Sequence, residues 1–362
     1  MAWWPSPFPA AVETLEDLIK KQIPQGMQHQ STRLVICRRS DGRPIGSALI
    51  DEGGGIEAEV RLHLDPTLGS AAAEAQGEAI HVILPWLAGE RYRPMIRTAI
   101  AGGQHAVRAA AEAVGMRPAV RLREGVLHAG QRQDLYLYDY LNPIWTAQLG
   151  DPGIGIAAER DRPENRVPPR RSLPGVPVPQ NAFIGSERLA LRPFNKADAE
   201  LMARTVRQES DAGFGHSRFP IGAVIFADWF TEIGKENPSS EMEVAVVLRE
   251  SGEIIGEVGL YDINWLARSA ETGSWLYKAE HRGSGYGTEA KLLLLEYAFE
   301  WLGLNMLWSW VKEANPRSQA ALRKQGYRDA GVTHWSGLGP TGFESARMFD
   351  LLANEWFAGQ ES

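Results

Sequence analysis

The stretch Arg282-Gly-Ser-Gly-Tyr-Gly287 joins an alternating apolar segment to a long helical segment that starts at Thr288. Three glycines let the backbone turn so that successive N–H groups point into one concavity, and the helix N-terminus adds its dipole. Such an anion site suits a pyrophosphate, as in CoA or a nucleotide. It is neither a Walker P-loop, since no Gly-Lys-Ser/Thr follows, nor a dinucleotide fingerprint, since no acidic residue ends a following strand. A tight strand-to-helix turn with no ligand explains the glycines equally well.

The segments around this loop alternate between strand and helix patterns. The long helix ends before Gly303, a natural C′ residue, and a later helix has proline in its first turn. We expect strands at Glu187–Phe194, Val244–Arg249, Ile254–Tyr261, Thr272–Tyr277, Met306–Lys312, Tyr327–Trp335 and Ala346–Leu352, and helices at Lys196–Gln208, Ile221–Lys235, Thr288–Leu302 and Pro316–Gln325. The pattern predicts an α/β (α+β) domain with a mixed sheet.

A proline-rich stretch divides the chain. Residues 150–185 hold seven prolines and show neither a helical nor a strand period, which is typical of an extended linker or of a strap on a surface. A chain of 362 residues is long enough for two domains. We therefore expect a first domain at 1–149, the linker at 150–185 and a second domain at 186–362.

The first half repeats features of the second in the same order. Ala58-Glu59 corresponds to Ala270-Glu271, and the helix His105–Val114 with Gly115 after it corresponds to Pro316–Gln325 with Gly326 after it. Matches in order at a near-constant offset predict a tandem duplication. The alignment gives the first copy no counterpart of residues 186–213. Either translation starts upstream, or the first strand and helix were lost, or the proline-rich stretch covers the exposed edge.

Composition narrows the class of protein. The single cysteine, Cys37, excludes an internal disulfide and cysteine-rich metal sites, and it suits a reducing cytoplasm. No long apolar run or signal-peptide pattern is present, so we expect a cytoplasmic protein without a membrane partner. The net charge of −7 falls on residues 186–362, where 25 acidic side chains outnumber 18 basic ones. The negative electrostatic field of these residues disfavours nucleic acid as a partner and weakly favours a cationic partner such as an amine. The histidines are scattered, and we expect no metal.

The order of motifs resembles the GNAT acyltransferase superfamily, and residues 186–357 look closest to its Rim-type branch, which acetylates ribosomal-protein alanine N-termini and small molecules. The first half looks like the same family over residues 33–140. The resemblance implies two tandem GNAT-like domains, each a mixed, mostly antiparallel sheet flanked by helices. It is carried by Ala270-Glu271, Arg282-Gly-Ser-Gly-Tyr-Gly287, Asn315-Pro-Arg-Ser318 and Gly326-Tyr327.

The resemblance also implies a reaction, in which an acetyl group passes from acetyl-CoA directly to a primary amine of a small molecule or a protein N-terminus. Glu271 is the candidate base, with an outward strand residue or a salt bridge as the structural alternative. The family often uses a tyrosine to stabilise or protonate the departing thiolate, but Leu322 stands at that position here. The resemblance then suggests Ser318 as the donor to the sulphur, and the structural alternative is that Ser318 only caps a helix. Asn315 would contact pantetheine, a water or the helix end. The implied cofactor-binding residues are Leu276, Tyr277, Arg282, Gly283, Ser284, Gly285, Tyr286, Gly287, Thr288 and Asn315.

Two further points stay open in the sequence. The first copy has Asp65-Pro-Thr-Leu-Gly-Ser70 where the glycine loop would lie, so we expect a degenerate, non-catalytic copy whose exposed sheet edge favours a homodimer. The alternative to an enzyme is a regulatory protein that binds acyl-CoA without turnover, and acyl transfer to a hydroxyl group is a third possibility.

A set of aromatic residues is expected to lie mostly in the core, with some members lining an acceptor pocket. They are Trp229, Phe230, Trp265, Trp275, Trp308, Trp310 and Trp335.

Overall fold

The computed structural model describes residues 31–52, 56–128, 130–153, 155–156, 167–172, 179, 181–208, 222–232, 238–339 and 342–361. The described chain forms two compact units. The first comprises residues 1–121, 134–156 and 331–346, and the second comprises residues 122–133, 157–330 and 347–362. Each half of the chain therefore contributes part of its last two strands to the other unit. The expectations for residues 1–30 and 209–221 lie outside the described residues.

The described residues of the first half of the chain form six strands and three α-helices. They are β1 (Ser31–Cys37), β2 (Pro44–Asp51), β3 (Glu57–Leu64), α1 (Ala71–Pro85), β4 (Met95–Ala101), α2 (His105–Ala113), β5 (Arg117–His128), β6 (Gln131–Leu141) and α3 (Pro143–Leu149). The strands are ordered β1-β2-β3-β4-β6-β5, and only β3 and β4 are parallel neighbours among the pairs with a defined register.

In the second half, the residues that the structure describes form eight strands and five α-helices. They are β7 (Ile184–Gly185), β8 (Leu189–Pro193), α4 (Asp198–Gln208), α5 (Ala223–Glu232), β9 (Met242–Leu248), β10 (Ile254–Asn264), β11 (Ser269–Leu276), α6 (Tyr286–Glu296), β12 (Met306–Lys312), α7 (Pro316–Lys324), β13 (Arg328–Gly339), β14 (Gly342–Leu352) and α8 (Ala353–Gln360). The strand order is β13-β14-β12-β11-β10-β9-β8-β7, with β11 and β12 parallel. This mixed, mostly antiparallel sheet with helices confirms the predicted fold class. Helix α8 was not predicted.

Helices cover both faces of the second sheet. The four leucines 292–295 of α6 are buried in one apolar cluster with Leu191 of β8, Val246 of β9 and Val258 of β10. Helices α4 and α5 cover the opposite face, where Met202 and Phe226 contact Ala245 and Val247. Because both faces are covered, the middle of β9 is buried at every residue, polar Glu243 included. In the described part of the linker, Val167 is buried in this unit, and Gly326 and Gly359 lie against it.

The two halves share a local pattern around their parallel strand pair. In the first half, Ala58 pairs with Ile96 and Glu59 with Arg97, and in the second Ala270 pairs with Leu307 and Glu271 with Trp308. At the next position of each strand pair, a side-chain hydroxyl on one strand donates a hydrogen bond to a carbonyl on the other. Thr98 Oγ1 donates to the Val60 carbonyl at 2.8 Å, and Ser309 Oγ donates to the Thr272 carbonyl at 2.8 Å. Helices α1 and α6 both continue into a π-helical turn, at Trp86–Glu90 and Tyr297–Trp301.

Candidate functional site

The glycine loop begins helix α6 with backbone angles that favour glycine. Gly283 has a φ of +84° and Gly285, the N-cap residue of α6, has a φ of +85°. A Cβ added at Gly283 would meet no atom within 4 Å, so the backbone conformation and not crowding calls for glycine there. The loop thus leaves the first N–H groups of α6 available to an anion.

Arg188, which directly precedes β8, binds the outer side of this loop. Its guanidinium donates to the Ser284 carbonyl at 3.2 Å and to Glu289 Oε2 from Nε at 2.8 Å, and it lies 4.5 Å from the centre of the Tyr286 ring. The sequence analysis did not single out Arg188. Its only sequence signal is a basic residue on the predicted first strand, too common to be informative.

A cleft of about 440 Å³ runs from the glycine loop between β11 and α7. Seven of the ten predicted cofactor residues line it, and so does Ser318. The lining residues that were predicted are Leu276, Arg282, Gly283, Gly285, Gly287, Thr288, Asn315 and Ser318. Two further cationic residues, Arg317 and Lys324, also line the cleft. The cleft therefore combines open backbone N–H groups with positive charge, which suits a phosphate-bearing ligand.

Three predicted cofactor residues do not line this cleft. Tyr277 is buried on the face covered by α4 and α5, where its hydroxyl donates to Glu257 Oε2 at 2.7 Å. Ser284 and Tyr286 are the loop residues that Arg188 contacts. Arg282 lines the cleft, and its guanidinium donates to the Leu276 carbonyl at 3.0 Å, so that it ties the loop to the end of β11.

Asn315 and Ser318 lie at the start of α7. The Asn315 side chain accepts a hydrogen bond from the backbone N–H of Ser318 at 3.2 Å, which makes Asn315 the N-cap of the helix. Helix capping, one of the roles considered for Asn315, is therefore present. The same contact fixes Ser318 in the first turn, on the wall of the cleft.

The parallel strands β11 and β12 separate close to the cleft. Their backbone ladder covers three pairs and ends where Glu271 pairs with Trp308. Beyond it, side chains link the strands: Ser309 Oγ donates to the Thr272 carbonyl at 2.8 Å, and Thr272 Oγ1 donates to the Trp308 carbonyl at 3.1 Å. The buried Tyr327 hydroxyl lies 2.6 Å from Thr272 Oγ1. Glu271 thus marks the edge of an opening in the sheet.

Glu271 is partly buried at this edge. Its Oε1 accepts a hydrogen bond from Trp310 Nε1 at 2.8 Å. Burial, helped by the negative charge of Asp262, raises the pKa of Glu271 to about 7, against the smaller lowering effects of the Trp310 hydrogen bond and of Lys291. Lys291 on α6 is fully buried, and burial lowers its pKa to about 7. A carboxyl group with a pKa near neutrality is suited to accept a proton from an ammonium ion.

A buried pair of carboxyl groups lies on the same face of the sheet as Glu271. Tyr261 Oη donates to Glu243 Oε1 at 2.6 Å, and Tyr277 Oη donates to Glu257 Oε2 at 2.7 Å. Burial raises the pKa of Glu243 to about 7, and burial together with the charge of Glu243 raises the pKa of Glu257. The sequence analysis missed this pair, because alternation along β10 gives Glu257 the appearance of a solvent-facing residue.

Within the part of the chain that the structure describes, no helix is long and apolar enough to cross a membrane. The same residues contain no group of three or more His, Cys, Asp or Glu side chains that could hold a metal ion.

Comparison with known proteins finds a family model and relatives that are similar to the second half of the chain. The sequence model of the acetyltransferase (GNAT) domain matches residues 188–328. The chain is 27% identical over 180 residues to the putative ribosomal N-acetyltransferase YdaF of Bacillus subtilis (strain 168), which covers 47% of this chain and 94% of YdaF. It is 22% identical over 175 residues to the uncharacterized N-acetyltransferase YnaD of the same organism, covering 48% of this chain and 98% of YnaD.

Solved structures of acetyltransferases are also similar to part of the chain. A probable acetyltransferase is 24% identical, with a TM-score of 0.43, over 47% of this chain and 96% of its own. A spermidine N-acetyltransferase from Vibrio cholerae in complex with CoA and spermine is 19% identical, with a TM-score of 0.44, over 48% of this chain and 99% of its own.

Proposed function

We propose that the second half of the chain, which contains an acetyltransferase domain of the GNAT family, transfers the acetyl group of acetyl-CoA to a primary amine of a small molecule or a protein N-terminus. Homologues of this chain are N-acetyltransferases, and GNAT enzymes use acetyl-CoA. One observation carries the residue-level proposal. The strands β11 and β12 part immediately after Glu271, and the cleft that starts at the glycine loop runs alongside the same strand.

The residues of the cleft fit a CoA group. Gly283 and Gly285 keep the N–H groups at the start of α6 open, and a side chain at Gly287 would fill the cleft beside Leu276. Arg317 and Lys324 supply positive charge for phosphates. When bound, acetyl-CoA supplies a carbonyl carbon that is activated by its thioester bond.

Glu271 then accepts a proton from the ammonium form of the acceptor. The neutral amine nitrogen forms a bond to the carbonyl carbon and the carbon–sulphur bond breaks. The second proton of the amine passes to the departing thiolate as the amide forms, which releases CoA as the free thiol. In our proposal the Ser318 hydroxyl donates a hydrogen bond to the departing sulphur, a role compatible with its position on the cleft wall. The backbone N–H of Ser318 is occupied by Asn315, so Asn315 acts by fixing the helix start.

The first half of the chain is, in this proposal, a second copy of the domain that lost its cofactor loop. The matched strand pairs and the two π-helical turns support a duplication. Where the second copy has its glycine loop, the first has a short 3-10 helix, Pro66–Leu68, capped by Asp65. Arg97 replaces Trp308 and forms ion pairs with Glu57 and the buried Asp139, at 3.2 Å each. The first copy thus has charged side chains in place of an acceptor site.

Release of the CoA thiol tests the activity. Wild-type protein with acetyl-CoA is screened against primary alkylamines and against tripeptides with a free N-terminus. The variants Glu271→Gln and Ser318→Ala are assayed in parallel. We expect the rate with Glu271→Gln to fall by about 10²- to 10⁴-fold, as for the loss of a general base, and a smaller loss with Ser318→Ala. The exposed Glu250→Gln is the matched control and should retain the wild-type rate. A wild-type rate in Glu271→Gln would remove Glu271 from the mechanism.

A further inference from the structure

Aromatic side chains surround Glu271 on the face of the sheet that it shares with α4 and α5. Tyr261 on β10 is its antiparallel partner, and Trp308 on β12 is its parallel partner, so the three side chains form one row across three strands. Trp310 lies two residues further along β12 on the same face, and its indole N–H binds the Glu271 carboxylate. We call the surface that Tyr261, Trp308 and Trp310 form around Glu271 the aromatic slot.

Two glycines determine how the Tyr261 ring lies. Gly259 and Gly273 are partners in the β10–β11 ladder. A Cβ at Gly273 would meet Tyr261 Cε2 at 2.7 Å, and a Cβ at Gly259 would meet the Tyr261 hydroxyl at 2.7 Å. The ring therefore lies against the sheet in the space that the missing side chains leave. A side chain at either position would push the ring away.

The hydroxyl group of Tyr261 fixes this position. It donates to Glu243 Oε1 at 2.6 Å. Glu243 on β9 is itself buried, close to Glu257 on the adjacent strand β10. The tyrosine therefore presents a ring of fixed orientation next to the carboxylate of Glu271. A preorganised ring loses little conformational entropy when a ligand binds against it.

Trp310 is exposed to an extent that core packing does not explain. It is 45% exposed, although it stands on a strand inside the sheet, and Glu271, Tyr261 and Trp308 beside it are partly exposed. An indole face next to a carboxylate attracts an organic cation, since the ring quadrupole and the negative charge act in the same direction. The row thus has both components of an ammonium site.

We propose that the aromatic slot binds the acceptor as a small alkylammonium ion, with its charge against the Tyr261 and Trp310 rings and its N–H groups toward Glu271. The inference rests on the proposed function, of which it specifies the acceptor class. In a primary alkylamine, the carbon next to the nitrogen carries two hydrogens and a single chain carbon, so aromatic rings can flank it closely. The α-amine of a protein N-terminus carries a side chain and a carbonyl at that carbon, and it fits such a slot less well.

The test measures binding and needs no turnover. The full-length protein is first titrated with CoA, and the CoA-saturated protein is then titrated calorimetrically with n-butylammonium and n-butanol. We expect the cation to bind at least about tenfold more tightly than the alcohol. Failure to bind CoA would refute the proposed function, whereas CoA binding with equal affinity for the cation and the alcohol would overturn the slot alone.

Variants then locate the cation. Trp310→Leu and Gly273→Val should weaken n-butylammonium binding by about 5- to 30-fold while CoA affinity stays unchanged, which shows that the domain is folded. Trp310→Phe, which keeps a ring but loses the N–H, should retain most of that affinity. Trp301→Leu is the control, because Trp301 is 71% exposed on a different element. Unchanged cation binding in both test variants, or tighter binding of an Ala-Gly-Gly tripeptide than of n-butylammonium, would overturn the proposal.

Discussion

Replacing Glu243 by glutamine should stabilise the protein at alkaline pH. Burial raises the pKa of Glu243 from 4.5 to about 7. Because the folded state holds this proton more tightly than the unfolded chain, the free energy of unfolding falls as the pH rises from about 4.5 through about 7. At 1.36 kcal/mol for each tenfold change in proton affinity, the loss approaches about 3 kcal/mol above pH 7.

Glutamine keeps the contacts that the carboxyl group makes. Its carbonyl accepts the hydrogen bond of Tyr261, and its amide group donates toward Glu257, which takes the place of the shared proton. We therefore expect Glu243→Gln to be close to wild-type stability at pH 5 and more stable by about 1 to 3 kcal/mol at pH 8.

Urea unfolding followed by tryptophan fluorescence at pH 5, 6, 7 and 8 measures this difference. The exposed Glu250→Gln serves as the control and should follow the wild-type pH dependence. A difference between Glu243→Gln and wild type that is independent of pH, or a less stable variant at pH 8, would refute the argument that this buried carboxyl group ionises at a cost to folding.

Three further predictions concern the site and its support. The kcat/KM for acetyl transfer should rise with pH through about 7, where Glu271 becomes a carboxylate, and a pH–rate profile of Glu271→Gln should lack this step. Arg123→Ala should cost about 3–5 kcal/mol in urea unfolding, because it removes the guanidinium that pairs with the fully buried Asp350 at 2.6 Å, and added Asp350→Asn should recover part of the loss. Tyr327→Phe should cost about 1–2 kcal/mol, since it removes the buried hydroxyl 2.6 Å from Thr272, and an unchanged urea midpoint would contradict that role.

The local elements could be predicted from the sequence because their signals are local. Strand β12 has the predicted bounds, Met306–Lys312, and the glycine loop begins its helix as expected. Helix α8 was missed because its short segment, Ala353–Gln360, continues directly from β14 without a turn residue. Boundaries set by hydrogen bonds and not by composition, such as the π-helical turn at the end of α6, leave no pattern in the sequence.

Long-range features of the site could not be predicted. Glu257 alternates with buried Val258 and Leu260, which is typical of a solvent-facing residue, and only the packing of α4 and α5 on that face buries it. Trp308 and Trp310 were among several tryptophans expected mainly in the core. Their place beside Glu271 depends on the register of two parallel strands joined by a helix, which no local pattern encodes.

Calorimetric titration of acetyl-CoA into the full-length protein and into Gly287→Phe tests the central claim most directly. Gly287 lies within α6 without a positive φ, so a phenylalanine fills the cleft without straining the backbone. Gly337→Phe is the control, because a Cβ there meets no atom within 4 Å. Our account predicts one site per chain in the wild type and the control, and loss of that site in Gly287→Phe. No binding to the wild type, or binding that Gly287→Phe leaves unchanged, would contradict it.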